Sequence, residues 1–217
     1  MPPSISFIIP AWNEEALIGG ALGALRASAD ALGEPYEIIV VDDASTDRTS
    51  EIARGRFLFF VDADTLVPPE TLVQAMDALR EGAIGGGSRF VFEGRIPWHF
   101  RVYLFFFMAV WNRLRVAVGC FVFVRREELA RVGGWDETYF AGEELYLSRA
   151  LKRRGKFVIV RHPVLSSGRK ARLLRVRDLL RLTARALVRG SRTLKQREGL
   201  EAWYVALREP PAEDERL

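Results

Sequence analysis

Short apolar runs alternate with helical patterns along the first ninety residues. Three runs have the length of buried strands, namely Ile5–Ile9, Tyr36–Val41 and Phe57–Val61. Apolar residues recur at helical spacing after Asn13. Helices are also predicted over 47–54 and from the stretch Pro68-Pro69-Glu70 to near Gly82. Strands that alternate with helices predict an α/β fold with a doubly wound, mostly parallel sheet and helices on both faces.

The second half of the chain is less regular. Further strands are predicted at Ile84–Phe92, Val118–Val124 and Phe157–Val160. Helices are predicted after Arg125, with a cap at Gly133 and Gly134, and over Glu143–Arg154. Two basic amphipathic helices are expected at the end, over Leu173–Val188 and about Thr193–Tyr204. We therefore expect one α/β domain at 1–168 and a basic helical extension at 169–217.

Composition is that of a globular protein. The chain has 217 residues, 49% hydrophobic and 28% charged, which suits one sizeable α/β domain. The single cysteine, Cys120, excludes a disulfide within the chain. The N-terminus has neither the basic region nor the apolar stretch of a signal peptide, which predicts a cytoplasmic protein.

Positive charge is concentrated near the C-terminus. Net charge is +4 and the pI is about 9.5. The segment from Arg169 to Arg197 has eleven Lys or Arg and one acid, Asp178. Such a block indicates an anionic partner.

Acidic residues follow the predicted strands. Asp42 and Asp43 end the second strand, Asp62 and Asp64 end the third, and Glu143 with Glu144 comes later. Ligands of parallel sheets bind beyond the carboxyl ends of the strands, and several carboxylates in one crevice favour Mg²⁺ or Mn²⁺ bridged to phosphates.

These carboxylates also fit other structures. Asp and Ser cap helices and form turns, so "DDASTD" is typical of a capped helix. "FLFFVDADT" fits the DxDxT motif of haloacid-dehalogenase-like phosphatases, and "VVDD" fits the acidic pocket of receiver domains. A haloacid-dehalogenase-like phosphatase needs this motif on its opening strand, and here two βα units precede the motif. A receiver domain needs a phosphoacceptor aspartate on a later strand, followed by a lysine.

The order of four motifs favours one family. "SFIIPAWNEE", "YEIIVVDDASTDRT", "GRFLFFVDADT" and "VGGWDETYFAGEELYLSRALKRRG" follow one another along the chain. Over residues 4–168 the sequence resembles the family 2 glycosyltransferases, which have the GT-A fold. The resemblance implies a metal-dependent, inverting transferase that moves a sugar from a nucleotide-sugar donor, with UDP favoured over GDP, to an acceptor hydroxyl. The alternatives are a non-catalytic nucleotide-sugar or membrane-binding module and a Mg²⁺-dependent DxDxT phosphotransferase.

The resemblance also implies donor-binding residues. Those that resemble the base and ribose site are Pro10, Trp12 and Asp43, with Asn13 and Glu14 in the same first loop. Asp62 and Asp64 resemble the DxD motif, with Asp64 as the direct metal ligand and Asp62 nearer the ribose or a bound water. Arg169 and Lys170 fit two interpretations: they close over the pyrophosphate, for which arginine offers a bidentate fork, or they form a plain solvated basic turn.

Catalytic and acceptor residues follow from the fourth motif. "GEE" stands where the family often has an acid pair, so Glu144 is the first choice for the catalytic base and Glu143 the second. Gly133, Gly134, Trp135 and Asp136 match the segment that borders the acceptor. His162 resembles a late histidine that binds the metal in many GT-A enzymes, although a histidine with a purely structural place is the commoner case.

The chain departs from the family between its second and third strands. Relatives usually carry a further strand and a loop rich in Gly, Arg and Asn, whereas here "SEIAR" runs directly into "GRFLFF". Residues 42–56 still suffice for one crossover. Part of the donor-site wall is therefore expected to differ.

An aromatic stretch, "PWHFRVYLFFFMAVWNRLRVAV", is the most apolar region. Eleven uncharged residues separate Arg101 from Arg113, too few to span a bilayer. Either a buried helix or a helix in the membrane interface fits it. With the basic tail, anionic lipid is the preferred partner, and a peripheral position at the inner face of the membrane and a lipid-linked acceptor follow as hypotheses. No nucleic-acid reader motif accompanies the charge, so nucleic acid is not expected.

Overall fold

The computed structural model describes residues 3–11, 15–42, 55–136, 138–139, 142–168, 176–189 and 195. Two predicted elements, the helix over 47–54 and the basic helix over Thr193–Tyr204, lie outside these residues. The remaining predicted elements are all present, with shifted ends in several cases.

Seven strands form one sheet in the order β2-β1-β3-β6-β5-β7-β4. The strands are β1 Ile5–Ala11, β2 Tyr36–Asp42, β3 Phe57–Val61, β4 Thr65–Leu66, β5 Gly85–Phe92, β6 Phe121–Arg125 and β7 Phe157–Ser166. β1 is parallel to β2 and β3, while β6 lies antiparallel between β3 and β5. β7 is parallel to β5, and β4 is antiparallel to β7. Five strands therefore share one direction, which confirms the mostly parallel sheet.

Within the described residues, six helices accompany the sheet. They are α1 Glu15–Leu32, α2 Pro69–Arg80, α3 Trp98–Leu114, α4 Arg126–Arg131, α5 Glu143–Lys152 and α6 Val176–Arg189. Pro69 opens α2 at a position where its missing N–H costs no helical hydrogen bond. After α4, Gly133 and Gly134 have φ of 84° and 80° and donate to Ala130 and Leu129 carbonyls, which confirms the predicted glycine cap.

One face of the sheet packs against α1 and α2. Side chains alternate across a strand, so every second residue of β1, β3 and β6 points to this face. Phe59 lies at its centre, with ring centroids 5.3 Å from Phe7 and 5.9 Å from both Phe121 and Phe123. These rings and the apolar sides of the two helices form the larger core layer.

The other face packs against α4 and α5. The intervening strand residues Ile8, Leu58 and Val122 lie here, against Leu129 of α4 and Leu147 of α5. Helices therefore cover both faces, as predicted.

Two predicted strand ends were wrong. β6 begins at Phe121 rather than Val118, because the Phe121 N–H donates to the Val118 carbonyl at 3.2 Å and closes a turn. β7 continues from Val160 to Ser166, because it pairs with β5 on one side and with β4 on the other.

The aromatic stretch forms α3, and its interpretation as a buried helix was wrong. Phe100 is the buried residue of this helix among those that the structure describes. Within the described chain, no helix has both the length and the apolar character needed to cross a membrane.

A glycine triplet lies in the middle of the sheet. Gly86 of β5 is opposite Phe123 of β6 and Val158 of β7. A methyl group built on Gly86 would lie 2.0 Å from the Val158 carbonyl oxygen and 2.4 Å from Cζ of Phe123. A methyl group on Gly87 would lie 2.7 Å from Cβ of Ala117. Neighbouring atoms thus occupy the space that side chains would need.

A buried carboxylate joins α4 to the end of α5. Glu128 accepts a hydrogen bond from Nε of Arg154 at 2.7 Å and another from Arg131. The Arg154 bond, helped by Arg131, outweighs burial and lowers the pKa of Glu128 below its ordinary 4.5. The folded protein therefore keeps Glu128 ionised at a pH where the unfolded chain binds a proton.

Replacing Glu128 by glutamine is expected to lower the free energy of unfolding by about 2 kcal/mol at neutral pH, the usual contribution of charged hydrogen bonds. Because the folded pKa is lowered, this contribution is present above pH 4.5 and is lost as pH falls through the folded pKa. Urea unfolding at pH 7 and near pH 4 measures both. Glu127→Gln is the control, since its exposed ion pair with Arg131 should change stability by less than about 0.5 kcal/mol. A pH-independent difference would contradict the assignment.

Candidate active site

The predicted metal-binding carboxylates of Asp62 and Asp64 lie at one edge of the sheet. β1, β2 and β3 end there, and β6 begins there because it runs in the opposite direction. Asp62 and Asp64 follow β3 directly. The turn before β6 therefore faces the two aspartates, an arrangement that a purely parallel sheet would not provide.

Backbone hydrogen bonds fix the segment that carries both aspartates. The Asp62 N–H donates to the Cys120 carbonyl at 3.2 Å, and the Thr65 N–H donates to the Asp62 carbonyl at 3.0 Å. The Ser167 N–H, just after β7, donates to the Asp64 carbonyl at 3.2 Å. The DxD segment is thus held between the start of β6 and the end of β7.

Glu144 lies at the same turn. It is in the first turn of α5. Its Oε2 is 3.9 Å from the position that a Cβ atom on Gly119 would occupy. Gly119 precedes Cys120, the residue that accepts from Asp62. The structure therefore brings Glu144 and the DxD segment to one short turn.

A buried serine holds α5 against this turn. The backbone N–H of Ala117 donates to Oγ of Ser148 at 3.0 Å. Ser148 is one helical turn after Glu144, so both side chains lie on one side of α5. This bond fixes the distance between the helix and the turn that Glu144 approaches.

The predicted acceptor segment, Gly134–Asp136, packs near β3. Trp135 meets Phe60 of β3 edge to face, with ring centroids 5.2 Å apart. Asp136 accepts from the backbone N–H of Thr138 at 3.1 Å and from its hydroxyl. The Thr138 hydroxyl first, and then Lys195, lowers the pKa of Asp136 and keeps it ionised.

Lys195 links the basic extension to this segment. Its ammonium group donates to Asp136 at 2.9 Å and to Thr138 at 2.7 Å. It also lies 4.4 Å from the ring centroid of Tyr139. The hydrogen bond to Asp136 raises the pKa of Lys195, so the pair remains ionised at neutral pH.

His162, the predicted metal-binding histidine, contacts helix α2, and its metal role stays a prediction. Its Nδ1 lies 3.5 Å from Oγ1 of Thr71 on α2, and its backbone N–H donates to Gln74 of the same helix. Ser167, which contacts Asp64, is five residues further along the chain. The histidine therefore lies on the side of β7 that meets α2.

Several predicted donor residues lie outside the described residues, namely Trp12, Glu14, Asp43 and Arg169. Pro10 is described, near the end of β1 and paired in register with Val41. Glu143 is half-buried at the first position of α5. The roles predicted for these residues stay predictions.

Sequence reasoning missed the residues that connect the site. Gly119, Cys120, Ser148 and Ser167 act through backbone groups or a small hydroxyl, and no charge or motif marks them. In the sequence, the one indication of this turn was Gly119, which lies just before the apolar run of β6.

The carboxylates of Asp62 and Asp64 suit a metal ion that a substrate also binds. The described residues contain no group of three or more His, Cys, Asp or Glu that could hold an ion by itself. Mg²⁺ and Mn²⁺ sites of enzymes that act on phosphates typically use one or two carboxylates and complete the shell with phosphates and water. Thr65 follows Asp64 in the chain, and its buried hydroxyl has no hydrogen-bond partner among the described residues. Such a group is expected where a water or an ion completes a site. Asp62 and Asp64 therefore fit the predicted metal.

The fold of the chain is similar to that of solved structures. The mannosyltransferase PcManGT from Pyrobaculum calidifontis, solved with GDP-Man and Mn²⁺, matches with a TM-score of 0.55 at 15% identity, over 99% of this chain and 67% of that one. A glucosyl-3-phosphoglycerate synthase from Mycobacterium tuberculosis, solved with Mn²⁺, UDP and glucosyl-3-phosphoglycerate, matches with a TM-score of 0.50 at 16% identity, over 88% and 80%. The chain has the GT-A fold.

The sequence of the first two strands and of the residues up to Gly55 is similar to one family. Residues 6–55 match the model of glycosyl transferase family 2. The undecaprenyl-phosphate 4-deoxy-4-formamido-L-arabinose transferase of Edwardsiella ictaluri is 42% identical over 50 residues, which are 23% of this chain and 15% of that relative. Over residues 6–55 the chain is therefore similar to glycosyl transferase family 2, the family that its motifs resemble.

Proposed function

We propose that the protein is a metal-dependent, inverting glycosyltransferase that moves a sugar from a nucleotide-sugar donor to an acceptor hydroxyl. UDP-sugars are the favoured donors and GDP-sugars the second choice. The acceptor is proposed to be lipid-linked, since the name of the Edwardsiella relative includes undecaprenyl phosphate. The match of residues 6–55 to the family 2 model and the GT-A fold support this proposal.

One observation carries the proposal. The DxD segment and Glu144 both meet the turn at Gly119 and Cys120. A transferase needs a group that binds the diphosphate and a base that meets the acceptor, on either side of the reacting carbon. Two separate acidic positions that share one turn supply both.

The residues are given these roles. Asp64 is proposed to hold Mg²⁺ or Mn²⁺ directly and Asp62 to support it, and this ion would neutralise charge on the leaving diphosphate. Pro10, Trp12, Glu14 and Asp43 would bind the nucleoside, and Arg169 the pyrophosphate. These assignments rest on the family's motif order.

Glu144 is proposed to take the proton from the acceptor hydroxyl as its oxygen attacks the anomeric carbon. The bond from that carbon to the diphosphate breaks, and the nucleoside diphosphate leaves. A single displacement with the base on the face away from the leaving group inverts the anomeric configuration. Gly134, Trp135 and Asp136 would border the acceptor, with Trp135 fixed by Phe60.

A donor panel tests the proposal. The full chain is incubated with UDP- and GDP-sugars and Mn²⁺ or Mg²⁺, and released nucleoside diphosphate is measured. We expect slow hydrolysis of one donor that EDTA abolishes, and faster release when an accepted acceptor is added. NMR of the anomeric proton then distinguishes inversion from retention.

Asp64→Asn is expected to reduce turnover by roughly 10²-fold, because losing a metal ligand removes several kcal/mol of charge stabilisation. Calorimetric titration should also show weaker binding of Mn²⁺ together with UDP. Asp77→Asn is the matched control, since Asp77 lies on α2 and pairs with Arg80 at the surface. Unchanged turnover in Asp64→Asn would remove Asp64 from the metal site.

Two other results would replace the proposal. Tight donor binding without turnover under any acceptor would favour a non-catalytic nucleotide-sugar-binding module. Phosphate release from simple phosphomonoesters, sensitive to Asp62→Asn, would favour a DxDxT phosphotransferase.

A further inference from the structure

Helix α3 is apolar around nearly its whole circumference. On its inner side, Phe100 and Leu104 pack against Phe92 and against Val176 and Leu179 of α6. The Tyr103 hydroxyl lies 3.2 Å from that of Thr183, and Tyr103 is partly buried, which raises its pKa and keeps it neutral. These contacts attach one side of α3 to the protein and fix which side faces outward.

The other side of α3 is apolar and exposed. We call this surface the α3 outer face, and its residues are Trp98, Val102, Phe105, Phe106, Val110 and Leu114. Trp98 is 76% exposed, Phe105 70% and Phe106 64%. Their spacing of three, four and eight residues places them in one stripe along the helix. A helix that is apolar all round is normally buried, so an exposed stripe of this size indicates a surface to which something binds.

Positive charge lies along the segment that carries the α3 outer face. From residue 94 to residue 116 the chain has four arginines and no acid. Arg101 and Arg113 of α3 are exposed, and so are Arg95 and Arg115 just beyond its ends. On the neighbouring α6, Arg177 and Arg181 are also exposed and pair with Asp178. The surface therefore combines large apolar side chains with a rim of arginines.

We infer that the α3 outer face docks onto an anionic lipid bilayer, with α3 lying in the plane of the interface. Aromatic side chains on such helices enter the boundary between headgroups and acyl chains, while arginines bind anionic headgroups. A second copy of the chain is a poorer occupant, because a two-fold contact would bring the same arginine rim onto itself.

Two hydrogen bonds connect helix α3 to the candidate active site. Near the end of α3, Nε1 of Trp111 donates to the Ala117 carbonyl at 3.2 Å. The Ala117 N–H in turn donates to Ser148 of α5, one helical turn after Glu144. Docking α3 would therefore set the position of Glu144 relative to the membrane surface. This consequence rests on the proposed function, whereas the docking itself does not.

Vesicle co-sedimentation of the full chain tests the docking. Vesicles of phosphatidylglycerol and phosphatidylcholine are expected to bind the protein at least tenfold more tightly than phosphatidylcholine alone. Phe105→Ser with Phe106→Ser should weaken binding to the anionic vesicles at least tenfold. Val73→Ser, which removes an exposed apolar side chain from α2, should leave binding within twofold of wild type.

Tryptophan fluorescence gives a second measurement. Anionic vesicles should shift the emission of the wild-type chain to shorter wavelength as Trp98 enters the interface. Trp98→Phe should remove most of this shift while the protein still sediments with the vesicles. Circular dichroism of each variant verifies that the fold is retained.

Three results would overturn the inference. These are failure of the wild-type chain to bind anionic vesicles, equal binding by the Phe105/Phe106 double variant, and a solution dimer that the double variant dissociates. Vesicle binding needs neither donor nor acceptor. Donor hydrolysis by the wild-type chain in vesicle-free buffer therefore tests the proposed function separately.

Discussion

Replacing Glu144 by glutamine is expected to slow sugar transfer by a factor of roughly 10² to 10⁴, the range that one general base contributes. Glutamine keeps the size of the side chain beside Gly119 but cannot take a proton. Donor affinity should change little, because the proposed role is confined to the acceptor. Rapid-quench transfer assays with a saturating donor, combined with calorimetric titration of the donor, separate the two quantities.

Glu143→Gln is the matched control, since both residues belong to the first turn of α5. We expect its transfer rate to stay within roughly threefold of wild type, because the proposed proton acceptor, Glu144, is retained in this variant. The opposite pattern, a large loss in Glu143→Gln alone, would assign the base to Glu143. Small losses in both variants would remove the base from this helix.

Gly86→Ala is expected to destabilise the fold by at least about 3 kcal/mol, the upper part of the usual range for overpacking a core. The new methyl group would lie 2.0 Å from the Val158 carbonyl oxygen and 2.4 Å from Cζ of Phe123. The Phe123 ring can rotate away, but the Val158 carbonyl belongs to β7, which pairs in register with β5 around Gly86. Urea unfolding followed by circular dichroism measures the loss.

Two further variants sharpen this result. Gly23→Ala lies in the exposed interior of α1 with nothing within 4 Å of the new methyl group, and it should stabilise the protein by about 0.5–1 kcal/mol. Phe123→Leu combined with Gly86→Ala should not restore stability, since the clash with the Val158 carbonyl remains. A stability of Gly86→Ala within about 1 kcal/mol of wild type would show that β7 can move aside.

Local sequence determined many of the elements. Phe57–Val61 is a strand with the predicted ends, and Pro69 starts α2, because apolar runs and proline act over a few residues. β7 was underestimated, since residues 161–166 have no clear alternation and are held by strands on both sides.

Strand direction and helix exposure could not be predicted in this way. The apolar run of β6 has the same composition that a buried parallel strand would have, yet β6 lies antiparallel between β3 and β5. Likewise, the residues of α3 favour burial, and the positions of α6 and of the end of β5 determine which side is covered. Both properties depend on elements distant in the chain.

The site was predicted in part for a general reason. Residues that follow parallel strands meet at one edge, so Asp62 and Asp64 were expected there, and the family motif added Glu144. The turn at Gly119 and Cys120 was not expected, because it reaches that edge only through the reversed direction of β6. His162 has no neighbour in sequence that would indicate its contact with Thr71 on α2.

The central place of β6 has a consequence for how the chain folds. In the described sheet, β6 alone joins β2, β1 and β3 to β5, β7 and β4. Its pairing with β3 spans the whole of β4, α2, β5 and α3, so closing that loop is entropically costly and slow. The Cys120 carbonyl that holds Asp62 arrives with the same strand. The carboxylate edge is therefore assembled only when the two halves of the sheet have joined, and a partly folded chain would not have it.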